Sequence, residues 1–117
     1  MKNPKKRTKL KPQKIDAALI KTVTQKITDK FKPQKIILFG SNASGSPNQD
    51  SDLDLFIIMP SSLRRDERSR EVSNLLGDRL FPLDVLVYTP DEIASSLKRG
   101  NSFIKEILEK GKILHES

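Results

Sequence analysis

"FGSNASGSPNQDSDLDLFI", residues 39–57, decides how the chain is read. It opens on a glycine–serine pair at the end of one apolar run and closes on a second apolar run interrupted by Asp52 and Asp54. Upstream, "KIILFG" (35–40) has the β-branched and aromatic content of a buried strand closed by Gly40. Downstream, "DLDLFIIM" (52–59) reads as a second strand, stopped by Pro60 and Ser61. Between them "SNASGSPNQDS" (41–51) is small and polar, a loop with one helical turn near its start. Side chains alternate along a strand, so Asp52 and Asp54 share a face, their Cα atoms about 6–7 Å apart. Leu53, Leu55 and Ile57 point the other way, into a core.

Outward from this stretch the chain alternates between helix and strand patterns. Ile15, Leu19, Val23, Ile27 and Phe31 recur every fourth position, with Ile20 widening the stripe, and Pro33 ends the amphipathic helix they predict. Residues 62–80 carry Leu63, Val72, Leu75, Leu76 and Leu80 among many charges and predict a second helix, weakest at Gly77. "PLDVLVY" (82–88) is a third strand. "TPDE" (89–92) is a helix start with Thr89 as N-cap, Pro90 at the first position and Glu92 at the third. That helix runs to Lys98 and stops at Gly100. Ser102 is the expected cap of a last helix holding Phe103, Ile104, Ile107 and Leu108. Gly111 takes its left-handed C-terminal position, and "KILHE" is a short extended end. The order α-β-β-α-β-α-α predicts an α+β fold of two layers, a small mixed sheet with helices on one face.

The bulk composition sets limits on function. At 117 residues the chain has room for one domain and a tail. The net charge of +7 is confined to an arm: residues 1–14 hold Lys2, Lys5, Lys6, Arg7, Lys9, Lys11 and Lys14 and no acid, leaving 15 basic against 15 acidic residues beyond it. With Pro4 and Pro12 the arm is expected to be disordered, and either a solubilising tail or a contact for nucleic acid. Residues 15–117 then form the folded domain. The absence of cysteine excludes disulfides and thiolate metal sites. No apolar run approaches the roughly 18–20 residues a bilayer requires. No signal peptide is evident, so a cytoplasmic protein without membrane contact is expected.

The third strand supplies a third acid. Leu83, Val85 and Val87 form one of its faces and Asp84 points the other way. Where the second and third strands are neighbours, Asp52, Asp54 and Asp84 can converge, and three close anions repel strongly unless a cation offsets them. Mg²⁺ or Mn²⁺, which prefer oxygen ligands, fit that role. Zinc does not, because the only histidine is His115, far along the chain. An isolated D-x-D pair would ordinarily be a solvated strand edge; the third aspartate in an apolar strand weighs against that. Glycine at position 40 permits a tight turn, whose backbone N–H groups with the Ser41 hydroxyl suit phosphate oxygens. Phosphate turn and carboxylate trio together are the layout of metal-assisted phosphoryl or nucleotidyl transfer.

Gly40-Ser41, ten intervening residues and Asp52-x-Asp54 resemble the G-S-x10-D-x-D signature of the DNA polymerase beta-like nucleotidyltransferase superfamily. More narrowly, "LDVLV" around Asp84 and "FIKEILEKGKIL" near the end are similar to the minimal nucleotidyltransferase (MNT) domains, over residues 15–115 or so. The resemblance implies a polymerase beta-like palm in which Asp52, Asp54 and Asp84 are catalytic and ligate two Mg²⁺ ions. It also implies that Gly40, Ser41, Asn42 and Ser51 bind the nucleotide phosphates. It implies transfer of AMP or another NMP from ATP or another NTP to a hydroxyl of a partner protein, with release of pyrophosphate. Relatives of this size pair with HEPN-type toxins as antitoxins, some by adenylylating a toxin tyrosine. The chain departs from that pattern in "GSNASG", where Asn42 and Ser44 replace the arginines of "GSRARG"; Lys35, Arg64, Arg65 or the arm are the candidate substitutes. Two alternatives stand beside this reading: a catalytically weak MNT module that occludes a toxin, and an RNA-directed nucleotidyltransferase using the basic arm. Of the remaining residues, Arg64, Arg65, Arg68 and Arg70 read as a solvated helix face. The five phenylalanines read as core or sheet-facing, Phe56 having the lesser option of touching a base, and Tyr88 reads as packing.

Overall fold

The computed structural model describes residues 15–40, 52–77 and 81–117. The arm at 1–14 and the loop positions Ser41, Asn42, Ser44 and Ser51 lie outside them, and with them the expectations placed there. Elements follow in the order α1 (Ala17–Phe31), β1 (Lys35–Phe39), β2 (Leu53–Ile58), α2 (Arg65–Leu76), β3 (Leu83–Tyr88), α3 (Pro90–Lys98), α4 (Ser102–Lys110) and β4 (Lys112–Glu116). Among the described residues no helix is long and apolar enough to cross a membrane.

Helix boundaries follow local chemistry. Asp16 caps α1 by accepting from the Leu19 N–H at 2.9 Å, and Lys32 closes it in the left-handed region at φ 48°. Leu19, Val23 and Ile27 are its buried residues, as the four-residue spacing predicts. The expected 62–80 helix is shorter, Arg65–Leu76, and ends at Gly77 with φ 61°. Thr89 and Glu92 form the predicted capping box of α3. Two expectations are corrected in α4. The cap is Asn101, whose carboxamide oxygen accepts from the Phe103 and Ile104 N–H groups, not Ser102. Gly111 is extended, at φ −68°, not left-handed. It is glycine for lack of room, since a Cβ there would strike Ile37 and lie 2.6 Å from the Ile107 carbonyl oxygen.

The sheet is four-stranded, in the order β3-β2-β1-β4. β2 runs parallel to β3, while β1 is antiparallel to both β2 and β4, so the sheet is mixed, as expected. "KILHE" is more than an extended end: it pairs with β1 and forms one edge of the sheet.

Alternation along the strands builds two cores. Ile36, Leu38, Leu53, Leu55, Ile57, Val85 and Val87 pack with Leu19, Val23 and Ile27 of α1 and Val72 and Leu76 of α2. On the opposite face Ile37, Phe56 and Ile58 pack with Ile104 and Ile107 of α4, with Ile93 of α3 alongside. The expected α+β class holds, and the placement of helices on one face holds for α1 and α2. α3 and α4 cover part of the other face. Each fully buried aliphatic or aromatic side chain contributes roughly 1.5–3 kcal/mol, so neither cluster is dispensable.

Candidate active site

Register places the acids. Phe39 of β1 is opposite Asp54 of β2, and Asp54 is opposite Asp84 of β3. Phe39, Asp54 and Asp84 therefore occupy one row across three strands and project from the same face. Adjacent strands are about 4.8 Å apart, so the two carboxylates are direct neighbours. Asp52, one residue before β2 begins, belongs to the same face.

Gly40 completes this row from below. It follows Phe39 with φ 79°, a conformation L side chains rarely adopt. A Cβ on it would strike the Asp54 Oδ2 atom and lie 3.1 Å from Asp54 Cγ. Two independent requirements thus fall on one residue, the turn geometry and the room for the carboxylate. The sequence shows the first; the second becomes visible only when β1 and β2 are paired.

The electrostatics confirm the crowding. Burial, then the charge of Asp84, then that of Asp52, push the Asp54 carboxyl up to about 6. A carboxyl in that state loses its proton readily when a cation offsets its neighbours. Among the described residues no three His, Cys, Asp or Glu side chains are already gathered as a metal-holding group. The donors in the row are nevertheless carboxylate oxygens alone, which suits a hard divalent ion, and the repulsion on Asp54 is what such an ion would relieve.

Phe56, two residues beyond Asp54 on the same face, is fully buried. Its ring meets Phe39 edge-on at 6.5 Å and lies tilted against Tyr88 at 5.1 Å. It supports the acid row and has no surface left for a base. Tyr88 packs as expected, with the Arg65 guanidinium 4.2 Å above its ring.

Arg64, Arg65 and Arg70 are exposed, as expected, but Arg68 is corrected. Arg68 is not on a solvated face: it is 6% exposed. It donates to the Leu63 and Val87 carbonyls at 2.8 and 3.1 Å and pairs with Glu92 at 2.7 Å. Those bonds pull Glu92 down to about 2, with Thr89 and Arg65 adding to the effect. Lys35, Arg64 and Arg65, the candidate substitutes for the family's arginines, are not placed beside the acid row. Lys35 is at the Ile58 end of the β1–β2 pair and bound to Glu116 at 3.1 Å, and Arg64 and Arg65 follow that same end of β2. Asp54 is at the opposite end, about four residues or 13 Å away.

No curated protein is significantly similar to the chain in sequence. Among solved structures, the chain resembles one described as the toxin-antitoxin MntA-HpeT in a single-residue variant. The identity is 22%, the TM-score 0.57, and the match covers 88% of this chain and 74% of that one. A second MntA-HpeT variant is 19% identical with a TM-score of 0.52, covering 82% of this chain and 72% of that one. These likenesses establish the fold. Residues 20–115 match the family model described as "Nucleotidyltransferase domain", and since that is most of the chain, the protein belongs to the nucleotidyltransferase domain family.

Proposed function

We propose that this chain transfers a nucleoside monophosphate, AMP in the first instance, from an NTP to a hydroxyl of a partner protein, as the antitoxin of a HEPN-type toxin. The observation that carries the reading is the Asp54–Asp84 pairing beside Gly40 within a nucleotidyltransferase domain. The two MntA-HpeT structures support the toxin–antitoxin setting. One of them is of a form in which two aspartates two positions apart are glutamate, the spacing that separates Asp52 from Asp54.

Nucleotidyltransferase domains generally use divalent metal ions. Asp52, Asp54 and Asp84 would hold Mg²⁺ or Mn²⁺, which would neutralise the triphosphate and acidify the acceptor hydroxyl. The chain's own residues do the positioning. Gly40 lets the Asp54 carboxylate lie flat against the backbone, and the β2–β3 register holds Asp84 beside it. By the family resemblance, Ser41, Asn42 and Ser51 would bind the triphosphate; they lie outside the described residues. The acceptor oxygen attacks the α-phosphorus in line, its proton leaves to an adjacent carboxylate or water, and the bond to pyrophosphate breaks.

The test is incubation of the chain with its co-expressed partner, labelled ATP and Mg²⁺. Label on the partner that disappears in the D52N/D54N double variant supports the reading; label retained in that variant refutes it. A second reading, neutralisation by occlusion alone, is favoured by Asn42 and Ser44 standing where the family pattern has arginines. It predicts an unlabelled partner that is still inhibited by the double variant.

A further inference from the structure

An open cleft of about 510 Å³ lies beside the acid row, lined by Phe39, Gly40, Phe103, Glu106, Ile107, Lys110 and Gly111. Its size is in the range of small-molecule sites, and its walls are mostly apolar with two charged groups at the rim. Gly40 belongs both to this cleft and to the carboxylate row, so the two are continuous.

Phe103 is the unexplained residue. It is 51% exposed, although phenylalanine gains most from burial. It is also held in place rather than loose. Asn101 fixes the first turn of α4, Ile104 and Ile107 anchor the helix in the core, and the Phe103 ring meets Phe39 edge-on at 6.1 Å and 85°. The ring is therefore half open to solvent at the cleft, with one T-shaped contact to Phe39.

We infer that this cleft receives the nucleobase of the NTP, with Phe103 as its stacking surface and Glu106 and Lys110 meeting its polar edge. The inference rests on the nucleotidyl-transfer reading and adds where the base goes. Phe39 is one strand from Asp54 and two, about 10 Å, from Asp84 in the row, so the cleft adjoins the acids and lies within a nucleotide's length of both. The charges of Glu106 and Lys110 cancel, which suits a neutral base and not a phosphate. Glu106 accepts from an exocyclic amino group, and Lys110 donates to a ring nitrogen or carbonyl.

The test is calorimetric titration of the full chain in Mg²⁺ with two probes, a non-hydrolysable ATP analogue and inorganic tripolyphosphate. Phe103→Ala is expected to weaken the ATP analogue about tenfold or more and leave tripolyphosphate within about twofold, while Phe103→Trp keeps the analogue bound. Unchanged analogue binding by the alanine variant overturns the inference, and so does a loss shared by both probes. A wild-type chain that binds tripolyphosphate as tightly as the analogue overturns it too, and leaves the transfer reading standing. A wild-type chain that binds neither probe overturns both. Loss of toxin association in Phe103→Ala with nucleotide binding intact would assign the ring to a protein interface instead.

Discussion

Glu92 on α3 and Asp54 on β2 are both partly buried carboxylates, and the fold moves them in opposite directions. Glu92 has two guanidinium groups, Arg68 at 2.7 Å and Arg65 at 3.5 Å, and the Thr89 N–H at 2.9 Å, and it is held down at about 2. Asp54 is pushed up to about 6, first by burial and then by Asp84 and Asp52 on the same face. The first is a carboxylate whose charge the protein has already neutralised; it locks α2 and α3 to the end of β3. The second carries an unfavourable charge that a ligand could relieve. The direction of the perturbation separates scaffold from candidate site more sharply than burial does.

The largest effect expected from breaking this contrast is chemical. Asp54→Asn should lower nucleotide transfer at least about a thousandfold, since a carboxylate acting on a metal is worth several kcal/mol to the transition state. A labelled-nucleotide assay measures it, and thermal melting of the same variant should show an intact fold. Next comes Arg68→Ala, which leaves Glu92 and the Val87 carbonyl without their buried partner. It should destabilise the domain by about 3 kcal/mol in urea titration. The same pair sets the acid limit. A lowered carboxyl contributes stability above its unfolded value and loses it as pH falls, so the Glu92 contribution should fade between 4.5 and about 2. Glu92→Gln should flatten that part of the profile.

Smaller effects sharpen the site side. Gly40 and Gly100 both have positive φ, 79° and 80°, but a Cβ on Gly100 meets nothing within 4 Å. Alanine at either costs about 1–2 kcal/mol of backbone strain. Only Gly40→Ala should also depress transfer, by displacing the Asp54 carboxylate; equal activity in the two variants would break the argument. The smallest expected effect is a gain. A raised carboxyl favours the fold while protonated and burdens it as pH rises from 3.8 to about 6. Without divalent ions at pH 8, Asp54→Asn should therefore stabilise by about 1 kcal/mol, allowing for solvent screening. The gain should vanish below pH 4.

What the sequence made legible was local. The D-x-D spacing, the lone Asp84 in an apolar strand and the Thr89–Glu92 box are each readable within a few residues, and each stands where expected except Asp52, which comes one residue before β2. The second core was partly legible: after Asp54 the alternation stops, and Phe56 and Ile58 put apolar side chains on the acid face. Gly111 was misread because a glycine after a helix looks the same whether the backbone needs a positive φ or a neighbour needs the space. Arg68 gave no local signal at all, since its burial depends on Glu92 and Val87 far along the chain.

Because β2 and β3 run parallel, the chain must cross back through α2 before Asp84 can stand beside Asp54. A growing polypeptide therefore carries Asp52 and Asp54 well before the third acid arrives. Long-range parallel pairing is slow, because loop closure is paid for before contacts form. The mutual repulsion of Asp54 and Asp84 appears only when β3 pairs with β2. A divalent ion present during synthesis would thus act as a folding aid for β3, and depletion of such ions would slow the acquisition of structure before it touched catalysis.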